Sequence, residues 1–138
     1  MISVWRRAAR MEHVAAMAEA SRDMLTPPKG PVTFVAVIEP TSPPPEGTVR
    51  DELAKWSRDV VPKMALAVFV AEGSGFRSAL VRGVGTALSA VVPSKVPFKF
   101  VSNIGEALPL VTPFLPKAET AEGLRDAIAY LRDCMNGA

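Results

Sequence analysis

Residues 32–39 read VTFVAVIE and residues 65–72 read ALAVFVAE. Each is a nearly unbroken apolar run rich in Val, Ile and Phe, and each precedes a helical pattern. A strand that is apolar on both faces must be covered on both faces. Helices between such strands therefore imply a parallel sheet sandwiched by helices. The expectation is one α/β domain over residues 1–138, with a small sheet of about four strands, mostly parallel, flanked by helices. Residues 32–39 and 65–71 should be adjacent central strands, because parallel neighbours need a crossover connection.

Outward from these runs, residues 2–5 suit a short strand. Over residues 8–25, Met11, Val14, Ala18 and Leu25 recur at helical spacing. Pro27, Pro28, Gly30 and Pro31 then break the chain. The first buried strand runs into EPTSPPPEGT, whose three consecutive prolines exclude helix interior. Thr48 with Asp51 suggests a helix start, and Val49, Leu53, Trp56, Val60 and Met64 form the buried face, with Pro62 near the end.

After the second buried strand, Gly73, Ser74 and Gly75 form a turn into a long helix from about Phe76. Phe76, Leu80, Val84, Ala87, Leu88 and Val91 make its core face, and Gly83 and Gly85 imply close packing at about 1 kcal/mol each against alanine. Phe98 and Phe100 alternate with Lys99 and Val101, as in a strand nearer the sheet edge. Asn103 with Glu106 is a second cap signature. Pro109, Pro113 and Pro116 make the next helix short or distorted. A final helix over 120–135 carries Leu124, Ile128, Leu131 and Met135.

The 138 residues carry 16 Lys and Arg against 14 Asp and Glu, a net charge of +2. That is too small to imply nucleic-acid binding. The charge is uneven: no acid lies between Glu72 and Glu106, and Arg6, Arg7 and Arg10 cluster near the start. Such short clusters read as solvated surface, or as a surface favouring an anionic partner. The single cysteine, Cys134, allows no internal disulfide. The first residues lack a signal peptide's apolar core, and residues 79–92 are too short to span a bilayer. A cytoplasmic protein without membrane insertion is expected.

Three segments carry a family resemblance: VTFVAVIEP, then ALAVFVAEGSGFRSALVRGVGTAL, then VPFKFVSNIGEAL. With the order of elements, they resemble the STAS superfamily, whose founding members are anti-sigma factor antagonists, and within it the sporulation antagonist-like branch found in many bacterial proteins. The resemblance implies a small regulatory α/β domain that binds proteins, with a kinase or sigma-factor regulator as partner. In regulated members a Ser or Thr at a strand-to-helix loop is phosphorylated within Asp-Ser-Ser-Gly and a hydrophobic residue. Ser74, Gly75 and Phe76 fit that pattern, whereas Glu72 and Gly73 depart from it.

Two constellations are candidates for chemistry. The loop Gly73-Ser74-Gly75 opens a helix whose free N–H groups, with Arg77, suit a phosphate or a phosphoserine. The same residues also suit a plain helix cap. Glu39 and Glu72 end the two buried strands, where open α/β sheets bind ligands, with Thr41, Ser42 and Asn103 as polar neighbours. They read either as an acid–base or ligand-binding pair or as exposed strand ends. His13 and Cys134 have no metal spacing, so no metal and no cofactor is expected.

The first functional reading is a non-enzymatic regulatory or protein-interaction domain, docking a protein partner through the strand-end loops and the start of the long helix. The second is a small-ligand-binding or hydrolytic domain using the acids at the sheet edge. The third is a homo-oligomeric structural subunit. The nearly all-apolar pattern of residues 76–92 points to a homodimer.

Overall fold

The computed structural model of the protein describes residues 1–27, 29–73 and 98–137. Among these, four strands form one sheet: β1 (Ile2–Trp5), β2 (Thr33–Ile38), β3 (Leu66–Ala71) and β4 (Phe98–Val101). Their order is β1-β2-β3-β4, and every neighbouring pair is parallel. The two apolar runs are thus adjacent central strands, with all of β3 and five of six β2 residues buried. β4 lies at the edge, as its alternating pattern predicts.

Strand parity divides the core in two. Phe34, Ala36 and Ile38 of β2, with Ala67, Phe69 and Ala71 of β3, face α1 (Met11–Leu25) and α2 (Gly47–Val60). Phe69 stands at the centre of the aromatic packing there. Its ring centroid is 5.7 Å from Phe34, 4.8 Å from Phe98 and 5.4 Å from Phe100. Each such pair adds about 0.5–1.5 kcal/mol beyond area burial. The opposite face carries Val35, Val37, Val68 and Val70. It packs on α3 (Ile104–Val111) through Ala107, Leu108 and Val111, and on α4 (Ala121–Asn136) through Leu124 and Ile128.

Helix boundaries correct several expectations. α1 starts at Met11 rather than near residue 8, because Arg10 is extended and its N–H donates to Nδ1 of His13 at 3.1 Å. Its buried face is Val14, Met17 and Ser21, and Met11 turns outward. Ser21 suits an apolar face because its hydroxyl donates to Met17 O at 2.6 Å and accepts from Trp56 Nε1 at 3.2 Å. α2 starts at Gly47, not after a Thr48 cap: Gly47, at φ +53°, turns the chain out of the proline run one residue earlier.

At its other end α2 tightens into a 3₁₀ turn, Val61–Lys63, around Pro62. Met64 is buried from beyond that turn rather than from the helix face. α3 is short, contains Pro109 and passes into the 3₁₀ turn Thr112–Phe114. Asn103 and Thr120 cap α3 and α4 through their side-chain oxygens. The expected long helix and its glycines, Gly83 and Gly85, lie outside the described residues.

Candidate functional site

The strand register places Trp5, Ile38 and Ala71 in one row across the sheet. The ladder continues one residue further: Glu39 N–H donates to Trp5 O at 2.8 Å, and Glu72 N–H to Ile38 O at 2.9 Å. Arg6, Glu39 and Glu72 therefore follow the strands at the carboxyl edge. Side chains alternate along a strand, so these three share the face of Val4, Val37 and Val70, which is the α4 face. On α4 the buried stripe Leu124 and Ile128 extends four residues to Arg132, which reaches the same edge.

These four residues form one charge network. Arg6 donates to Glu39 through Nε at 2.5 Å and Nη2 at 3.1 Å, a two-pronged contact. Arg132 Nη2 donates to Glu72 Oε1 at 2.8 Å. Arg132 Nε stands 3.1 Å from Glu39 Oε1, an ion pair in which Nε–H makes no hydrogen bond. Arg6 also donates to Asn136 Oδ1, near the end of α4. Arg132 thus bridges the carboxylates of two neighbouring strands, and Glu39 sits between two guanidinium groups. The hydrogen bonds from Arg6 hold the Glu39 carboxyl below its ordinary pKa against the opposing effect of burial, and the charges of Arg6 and Arg132 add to the lowering.

The candidate pair Glu39 and Glu72 is therefore brought together at the carboxyl edge, as the adjacency of the strands predicts. It is not a pair of exposed strand ends, since Glu39 is only 8% exposed. Thr41 and Ser42 have structural partners. Thr41 Oγ1 donates to Arg6 O at 2.9 Å, and Ser42 Oγ to Arg7 O at 3.2 Å, pinning the loop after β2 to the chain after β1. Asn103 does not join the carboxylates. Its Oδ1 accepts from Glu106 N at 2.9 Å and its Nδ2 donates to Glu106 Oε1 at 3.2 Å. Glu106 in turn accepts from Ser102 N at 3.0 Å, one residue before the cap, which further ties down the start of α3.

Gly73 is the described member of the other candidate loop. Its φ is +93°, and a Cβ there would lie 3.1 Å from Pro40 Cβ. The turn after β3 thus needs glycine for its backbone and for its approach to the loop after β2. Ser74, Gly75 and Arg77 lie outside the described residues. His13 caps α1, and its ring meets Trp5 edge-on at 6.2 Å. Cys134 is exposed on α4. Among the described residues, no group of three or more His, Cys, Asp or Glu is placed to hold a metal ion.

Sequence reading missed Arg6 and Arg132. Arg6 belongs to a cluster read as solvated, yet it is the fork on Glu39. The signal for it was strand parity, because Arg6, Glu39 and Glu72 each stand one position beyond a strand end. The signal for Arg132 was its place four residues past Ile128.

What the fold and this edge define is a small parallel α/β domain whose strand-end acids are clamped by arginines. No protein-family model, curated protein or solved structure matches the chain. Among the described residues, no helix is long and apolar enough to cross a membrane.

Proposed function

We propose that this chain is a non-enzymatic regulatory interaction domain of STAS-like type. It docks a protein partner, such as a kinase or a sigma-factor regulator, on the loops at the carboxyl edge. The contact centres on Gly73, Ser74, Gly75 and Arg77. The observation that carries the reading is the clamping of Glu39 and Glu72. A carboxylate held low by Arg6 and bridged by Arg132 is a poor proton carrier near neutral pH, where a general acid or base needs a pKa close to the working value. The edge is instead built as a fixed platform: α4, β1, β2 and β3 are tied together through Arg6, Glu39, Arg132 and Glu72, the last of which stands one residue before Gly73. A phosphate on Ser74 would bring about two negative charges to that platform and switch docking.

The test compares affinity capture from the source cell by the wild-type chain, Ser74→Asp and Ser74→Ala. The proposal expects a partner retained by wild type and Ser74→Ala and lost with Ser74→Asp. Equal retention by all three would remove Ser74 from the contact. A hydrolytic activity abolished by Glu39→Gln in a chain that stays folded would favour the enzymatic reading instead.

A further inference from the structure

The α1/α2 face contains a cavity of about 80 Å³ that is partly open to solvent. Among the described residues its wall includes Trp5, Phe34, Ala36, Trp56, Phe69 and Ser57. Pro43 and Pro45, from the rigid loop after β2, stand at the same cavity, and Arg50 joins them from the first turn of α2. The wall is almost wholly apolar. Its polar members are Ser42, Arg50 and Ser57; Ser57 is 5% exposed, and its hydroxyl makes no hydrogen bond to another described residue. The neighbouring polar groups are already engaged. Ser42 donates to Arg7 O, Trp5 Nε1 to Ser3 Oγ, and Trp56 Nε1 to Ser21 Oγ.

A hydroxyl that borders an apolar cavity and makes no bond among the described residues can hydrogen-bond to a ligand group there, at about 1 kcal/mol. Dry apolar cavities of about 150 Å³ take up benzene. This one is about half that size but opens outward, so a ring can enter without being wholly enclosed. Trp5 and Ile38 end β1 and β2, and Pro43 follows β2. The cavity therefore lies toward the carboxyl edge, where open α/β sheets receive their ligands. We propose that it is a binding site for a small, mostly apolar molecule with one hydrogen-bonding group, of the size of phenol, whose polar atom meets Ser57 Oγ. The inference does not depend on the docking function.

The chain has two tryptophans, Trp5 and Trp56, and both line the cavity, so intrinsic fluorescence reports on it directly. Titration of the full chain with phenol should give a saturable fluorescence change, and benzene a weaker one. Ser57→Ala should weaken phenol about fivefold, the worth of one ordinary hydrogen bond, and leave benzene unchanged. Ala54→Leu, which fills the cavity from the half-buried side of α2, should abolish both while the far-ultraviolet circular dichroism stays that of the wild type. No saturable change with either probe would overturn the site. So would Ala54→Leu binding phenol as the wild type does. Equal losses for phenol and benzene in Ser57→Ala would overturn the role of the hydroxyl.

Discussion

Glu39 is the residue whose environment has the sharpest consequence. Its carboxyl is held below the ordinary value near pH 4.3, chiefly by hydrogen bonds from Arg6. A carboxyl depressed in the folded state contributes stability that is fully present above the unfolded value and is lost as pH falls through the folded one. Glu39→Gln should therefore be less stable than wild type at pH 7, with the gap closing below about pH 4. Thermal unfolding from about pH 7 down through the ordinary carboxylate range near pH 4 checks this, and a gap independent of pH would contradict it. Gly73 carries a second expectation. At φ +93° and with Pro40 Cβ 3.1 Å from its own missing Cβ, Gly73→Ala should cost about 1–2 kcal/mol in a denaturant titration. A neutral result would mean that the turn relaxes freely.

At the scale of elements, the strands and the network differed in how far they could be read. β2 and β3 were legible because two-sided burial writes a continuous apolar run, and their parallel pairing followed from the helix between them. The cap at Asn103 was equally legible, since a polar residue followed three positions on by Glu leaves a local trace, whereas Thr120, read as the first residue of the last helix, is its cap. The start of α2 was not legible, because Gly47 at positive φ supplied the turn that Thr48 was expected to make. The charge network is a tertiary product. Arg6 and Arg132 are 126 residues apart, and nothing local says that α4 returns to the carboxyl edge. Thr33 Oγ1 bonding to Phe114 O at the opposite edge shows how it does: α3 runs down the sheet, and α4 runs back up along the strands. Arg132→Met should cost about 1–2 kcal/mol, between the worth of an exposed pair and the cost of breaking a fully buried one, and loosen the end of α4. Hydrogen exchange of residues 130–136 is the readout, and unchanged protection there would count against the clamp.

For the whole molecule, two cores on either side of one parallel sheet account for almost every buried apolar side chain among the described residues. That architecture was fully legible in class, because the fold follows from burial patterns. The function is less legible, because docking surfaces leave no periodicity. Self-association belongs to the same proposal. We propose a homodimer through part of residues 76–92 or the proline-containing segment after Asn103, so sedimentation at micromolar concentration should give twice the 14.7 kDa chain mass. A single monomeric species would remove the dimer and leave the docking reading standing.

The claim on which the account rests is that the strand-end acids serve as a structural clamp. A double-mutant cycle on Glu39→Gln and Arg132→Met, read by denaturant unfolding at pH 7, measures it most directly. Residues in direct contact within one network couple by about 0.5–3 kcal/mol. The account predicts a coupling within that interval. Strictly additive losses would contradict it and return Glu39 and Glu72 to candidacy as a reactive pair.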